Sequence, residues 1–401
     1  MTQSFICLCG ALFGVASFMF AATPCMAQAD TADTTDTTHL VHRLAVDFTP
    51  GAIIHTNRFL KGDNPEERTM NHSSALHVKY GFQYPADSKW SRIYKGAYQG
   101  IGVAFHNFNH QLGNPVSVYL YQGARIATLA PRLAFNYEWN LGLAMGWHPY
   151  DEEENNSNLV IGSKVTAYID ADFYLSYRLS RYVDVNAGFS LTHYSNGNTQ
   201  FPNAGLNTAG IRAGLAYYVN RPQTERRHQP IPAFHRAFTC DVILYGAWRR
   251  RGMYTEDGQA YVLPGKYGVM GFNVTPMYNI SHWLNVGASV DGVYDRSANM
   301  ELLGYGPFTD DDVIRPKSSR QMALGLSGRI EFVMPFFAIN IGLGTNVLNS
   351  TDEFKGIYEV AALKVNVTQR ILLHIGYTLN DFRNPRYLML GMGYRFGKVR
   401  R

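Results

Sequence analysis

The sequence predicts an all-β protein, an antiparallel outer-membrane β-barrel, and three observations carry that prediction. Hydrophobicity alternates with period two over segments far longer than the roughly five or six residues of a typical soluble strand. The polar face of these segments carries charges while the other face is apolar throughout, as expected when one side meets lipid and the other a lumen. The composition agrees: 17% charged residues, 26 Tyr and 23 Phe against 5 Trp, and 37 Gly.

The same arithmetic excludes several classes. A hydrophobic content of 46% does not fit a solvated coil. Cys7, Cys9 and Cys25 lie in the extreme N-terminus and only Cys240 beyond it, so the chain is not a disulfide scaffold. A net charge of +5, with no basic run interleaved with aromatics, predicts no nucleic-acid partner. No GxSxG, HExxH, CxxC or P-loop motif occurs, and no cofactor is expected. His106 and His110 are spaced to share a strand face, but a third ligand is not evident, so no metal is expected.

In chain order, residues 5–22 are almost wholly apolar or small, and Ala27-Gln28-Ala29 resembles a signal-peptidase site. We read 1–29 as a signal peptide; the alternative is an uncleaved anchor, since the apolar run approaches spanning length and the start lacks Lys and Arg. A first barrel is expected over 30–219, with strands near 40–48, 75–85, 99–108, 116–128, 131–147, 163–178, 182–195 and 207–219. The clearest alternation is in 131–147, where Leu133, Phe135, Tyr137, Trp139 and Leu141 oppose Arg132, Asn136, Glu138 and Asn140. In 164–178, Lys164, Asp170, Asp172 and Arg178 lie opposite Val165, Ile169, Phe173 and Leu175. Backbone groups in hydrocarbon must all be paired, so a closed sheet is the only β solution.

Residues 220–236 lose the alternation and hold Pro222, Pro230 and Pro232 with four Arg, which reads as a linker. Eight further strands follow in 237–401, near 237–248, 266–278, 283–295, 321–333, 336–344, 356–366, 370–380 and 387–396. They form a second barrel or part of one wide barrel. A faint echo between Tyr377-Thr378-Leu379-Asn380 and His193-Tyr194-Ser195-Asn196 points to a degenerate repeat. Gly391-Met392-Gly393-Tyr394-Arg395-Phe396 is similar to a C-terminal barrel-assembly signal, although five residues follow Phe396. The acidic runs Asp151–Glu154 and Asp310–Asp312 fall between strands as solvated loops.

One constellation carries chemistry. In the strand ending near 195, Val183, Val185, Ala187, Phe189 and Leu191 face lipid, and His193 and Ser195 continue that series. On the next strand Asn207 shares the face of Ile211 and Leu215. Polar groups aimed at hydrocarbon are costly unless they pair with one another or with a substrate. The bland alternative is a polar rim that meets lipid headgroups. Asn196, Gly197, Pro202, Asn203 and Gly205 give the intervening loop the residues of a tight, fixed backbone.

His193-x-Ser195-Asn196-Gly197, followed by Pro202-Asn203-x-Gly205 and a Gly-rich strand, resembles the PagL lipid A 3-O-deacylase family of outer-membrane barrels. The likeness extends over about residues 40–219, including Tyr98-Gln99-Gly100-Ile101-Gly102 and Tyr121-Gln122-Gly123. Family members are eight-stranded and shorter than this chain. The resemblance implies Ser195 as nucleophile, His193 as its general base, and Asn196 with the Gly197 N–H as oxyanion donors. Where the family places a Glu, fourteen residues after the His, this chain has Asn207. An amide carbonyl can orient an imidazole but stabilises imidazolium less well than a carboxylate. The implied substrate is lipid A of lipopolysaccharide, acted on within outer-membrane lipid. The competing reading is a catalytically decayed structural or channel barrel. The sequence fixes neither the oligomeric state nor the role of 237–401.

Overall fold

The structure is a computed structural model, which describes residues 40–86, 88–222, 230–254, 260–304, 308–349, 352–382 and 384–397. The expected signal peptide lies outside the described residues. Eight strands build the first sheet: β1 (Val41–Ile54), β2 (His72–Gln83), β3 (Tyr98–Asn107), β4 (Gly113–Ala130), β5 (Leu133–Trp147), β6 (Val165–Arg178), β7 (Val183–Ser195) and β8 (Leu206–Val219). Each pairs antiparallel with its neighbour, and β8 returns to β1, with Leu44 opposite Tyr217, to close the sheet.

The second sheet closes separately. It contains β9 (Phe238–Arg249), β12 (Tyr267–Asn279), β13 (Leu284–Asp295), β16 (Met322–Val333), β17 (Phe337–Leu348), β18 (Ile357–Asn366), β19 (Ile371–Asn380) and β20 (Asn384–Gly397). Strand β20 pairs back onto β9, with Tyr394 opposite Val242. The chain therefore forms two eight-stranded barrels, not one wide one. Two short hairpins absent from the sequence reading sit above the second barrel: β10 (Gly252–Tyr254) with β11 (Ala260–Val262), and β14 (Glu301–Leu302) with β15 (Val313–Ile314).

The alternation sorts the residues as a lipid solvent would. Leu44, Val46, Phe48, Val78, Phe189, Leu191, Ile211 and Leu215 project outward and exposed. No helix among the described residues is long and apolar enough to cross a membrane.

Charged groups inside must be paired, because an unpaired buried charge is very costly. In the first barrel Arg212 lies 2.9 Å from Asp47, 3.0 Å from Glu138 and 2.7 Å from Asp172, while Lys79 bridges Asp47 and Glu138. Above them Tyr119, Tyr168, Tyr194 and Trp147 meet in tilted and edge-to-face contacts as an aromatic layer. The second barrel repeats the device with Lys364 between Asp241 and Glu331, and with Arg329 on Asp291. Paired side chains thus occupy the middle of both lumens.

Most turns at one end are short, at 131–132, 179–182, 280–283 and 334–336, the exception being 84–97 with its helical turn Lys89–Ile93, while most loops that crown the other end are longer. The acidic run at Asp151 lies in one crown loop, where the N–H groups of Glu153 and Glu154 donate to its carboxylate and hold it below the usual carboxylate range. His106 and His110 do not share a strand face. Strand β3 stops at Asn107; His106 is buried in the lumen with Ser117 and Tyr194, whereas His110 lies in the following loop 3.5 Å from Glu66.

Candidate active site

The site forms where β7 and β8 reach the crown. The antiparallel register sets His193 directly opposite Asn207, and the next pair, Tyr194 and Leu206, faces inward and is buried. On its other side β7 pairs with β6, placing Ile169 opposite His193 and Ala167 opposite Ser195. His193, Ser195 and Asn207 therefore lie on the outward face, in line with Phe189 and Leu191, and all three are half-buried.

His193 Nδ1 donates to Asn207 Oδ1 at 2.7 Å. An amide oxygen can only accept, so the ring proton is on Nδ1 and the Nε2 lone pair is left for another donor. The Ser195 hydroxyl turns toward the loop. Its Oγ accepts the Gly197 N–H at 3.1 Å and an Asn203 amide N–H at 3.0 Å, and it makes no hydrogen bond to His193 among the described residues. Asn196 is spent on the turn, its N–H donating to Asn203 Oδ1 at 3.0 Å and its amide to the Gln200 carbonyl at 2.8 Å.

The loop itself is tightly held. Gly197 and Gly205 both adopt positive φ, +64° and +74°, where a side chain is strained. A Cβ on Gly205 would lie 3.1 Å from His193 Cε1, so this glycine lets the ring sit flat against the loop. The Ala204 N–H donates to the Leu159 carbonyl at 3.2 Å and the Gly205 N–H to that of Val160 at 3.1 Å, tying the loop to the β5–β6 connection.

Among the described residues Asp170 and Asp172 do not replace the carboxylate: Asp170 is buried in the lumen, bonded to Asn140, Ser190 and Thr192, and Asp172 is held by Arg212. Among the described residues no His, Cys, Asp and Glu group could hold a metal ion. The sequence reading took Asn203 only as a turn former, yet it is the side chain that holds the Ser195 hydroxyl. The Pro202-Asn203-x-Gly205 turn in the loop after the Ser was the one available signal.

Two family models match the chain. Residues 74–216 match "Lipid A 3-O-deacylase (PagL)", and residues 238–398 match "Acyloxyacyl hydrolase, C-terminal domain" of the same family. The chain belongs to the PagL family. The first match covers the first barrel from β2 through most of β8, with His193, Ser195 and Asn207, and the second spans the other barrel. Membership in this lipid A deacylase family agrees with the apolar outer faces in making these outer-membrane barrels. No curated protein matches the chain. Among solved structures, the siderophore receptor PirA from Pseudomonas aeruginosa is 10% identical, with a TM-score of 0.23, covering 90% of this chain and 82% of its own. A mutant porin of Rh. blastica is 6% identical, with a TM-score of 0.17, covering 89% of this chain and all of its own. At such scores these likenesses carry no argument. At the echo positions the second PagL-family barrel has Tyr377 and Leu379, so it repeats neither the His nor the Ser.

Proposed function

We propose that the protein is a serine esterase of the Gram-negative outer membrane that hydrolyses a 3-O-linked acyl chain of lipid A. The observation that carries this reading is the 2.7 Å bond from His193 to Asn207, made on the lipid-facing side with Ser195 two residues along the same face. A substrate anchored in the leaflet presents its ester to that side and to no other.

On this reading the Ser195 hydroxyl swings from Asn203 to His193 Nε2 as substrate enters. Catalytic hydrogen bonds are often incomplete before substrate binds. Nε2 takes the hydroxyl proton while Oγ attacks the ester carbonyl carbon. The Gly197 N–H and the Asn203 amide, freed from Oγ, are the donors beside the developing oxyanion, and Asn196 holds the turn that aims them. The imidazolium then gives its proton to the sugar oxygen as the acyl–oxygen bond breaks. Water, deprotonated by the same imidazole, releases the fatty acid from Ser195. Asn207 fixes the tautomer through its carbonyl throughout.

Purified protein mixed with lipopolysaccharide is expected to release a hydroxy fatty acid, and Ser195→Ala to release none, as read by mass spectrometry of lipid A. Equal release by the two proteins removes Ser195 from the mechanism. The alternative, a decayed structural barrel, draws on the Ser195 hydroxyl being bonded to Asn203 and not to His193. It predicts no release by the wild type under any condition. A channel is disfavoured by the paired charged side chains that cross both lumens.

A further inference from the structure

The loop that carries the chemistry is gripped from outside its own barrel. Asn198, at φ +60°, donates through Nδ2 to the Pro385 carbonyl at 2.7 Å and points toward that of Arg386 at 3.4 Å, both at the start of β20. Asn198 Oδ1 in turn accepts from Asn203 Nδ2 at 3.1 Å, and the same Asn203 amide reaches Ser195 Oγ at 3.0 Å. A hydrogen-bonded relay thus runs from the second barrel through Asn198 and Asn203 to the hydroxyl. Leu388 packs beside it: a Cβ on Gly197 would lie 3.3 Å from Leu388 Cδ1. Phe201 packs on Gly252 and Tyr254 of β10, with 5.0 Å between the two ring centres.

The far end of the relay is firm. Arg386 is bound to Glu353 through its side chain and carbonyl, and Glu353 is also paired with Arg251 at 2.7 Å and bonded to the Asn299 N–H. Leu388 shares the outward face of Leu390 and Met392. It is therefore an apolar wall within one residue's reach of Gly197, where the acyl chain of a lipid substrate approaches.

We infer that the second barrel completes the active site of the first: Asn198 is a positioning residue that ties the Ser195 loop to β20, and Leu388 is a specificity-determining wall of the acyl groove. This rests on the esterase reading above. Neither contact is local in sequence, and neither is provided by an eight-stranded barrel alone. A floppy loop would leave Oγ and its donors misaligned, and a misplacement of about 1 Å can cost about 100-fold in rate.

The test uses the full chain folded in lipid micelles, with folding followed by heat-dependent gel migration. The probe is an alkyl fluorophosphonate, on which Ser195 Oγ bonds to phosphorus as fluoride leaves and the hydroxyl proton passes to His193. Asn198→Asp keeps the turn and the acceptor for Asn203 but cannot donate to the β20 carbonyls. Asn198→Gly tolerates the positive φ and loses both links. Both are expected to lower the limiting labelling rate about 10- to 100-fold with the half-saturating probe concentration unchanged. Leu388→Trp is expected to raise the half-saturating concentration for a dodecyl probe and leave an ethyl probe unaffected. Folded Asn198 variants labelled at the wild-type rate overturn the positioning role. An unchanged dodecyl response in Leu388→Trp overturns the wall. If the wild type is not labelled at Ser195, or Ser195→Ala is labelled as fast, the esterase reading fails and takes this inference with it.

Discussion

Asn207 accepts the Nδ1 proton of His193 from the position directly across the β7–β8 ladder. The pairing needs no loop rearrangement, because cross-strand neighbours on one face lie side by side. It commits the imidazole to one tautomer and leaves Nε2 as the acceptor nitrogen of the ring.

Replacing Asn207 therefore discriminates between orientation and charge. Asn207→Leu removes the acceptor and should lower kcat by about 100-fold, the lower range of general-base contributions. Asn207→Glu keeps an acceptor and adds a charge facing the imidazolium, so kcat should rise. Both are checked by the rate of fatty-acid release, and a fall with Glu shows that the surroundings are fitted to the amide.

Gly205 offers a steric test of the same ring. A methyl group at this position would stand 3.1 Å from His193 Cε1 on a backbone at φ +74°. Gly205→Ala should keep the barrel folded and lower kcat about tenfold, given about 1–3 kcal/mol for such backbone strain. An unchanged kcat would mean that the ring position does not matter to turnover.

The lumen predicts where stability resides. Glu138 accepts from Lys79, Arg212 and Tyr98, with Arg43 3.9 Å away. Glu138→Gln leaves these cations short of a counter-charge and should destabilise the first barrel by about 3–5 kcal/mol. Urea unfolding in lipid vesicles measures it; a loss below about 1 kcal/mol, the scale of an exposed pair, would mean that water reaches the cluster.

The outer face predicts the opposite sensitivity. Phe189 is 69% exposed midway along β7, where only lipid can cover it. Phe189→Arg should cost about 2–4 kcal/mol in a bilayer. Phe189→Leu should cost little, and equal costs for the two would place that face away from hydrocarbon.

The sixteen barrel strands were legible because each is a run of ten or more residues in which apolar and polar positions largely alternate, and a two-faced pattern sustained that long has few other solutions. Leu133 to Trp147 is the plainest case. Hairpins β10–β11 and β14–β15 escaped because two or three residues per strand show no period. His106 and His110 misled because even spacing implies a shared face only while the strand continues. The resemblance and the alternation together marked His193, Ser195 and Asn207, and the structure brings the His and the Asn into contact. Asn203 was not legible as the partner of the hydroxyl, nor Asn198 as its tie to β20, since their reach depends on loop dihedrals and on a carbonyl nearly two hundred residues away at Pro385.

Closure of each sheet on itself has one more consequence. With β8 zipped to β1 and β20 to β9, no barrel strand among the described residues offers a bare rim of amide groups, which is where foreign or sibling chains are captured by strand addition. Copies that meet in the membrane can therefore associate only through their greasy flanks or their crowns, and never by merging into a larger cylinder.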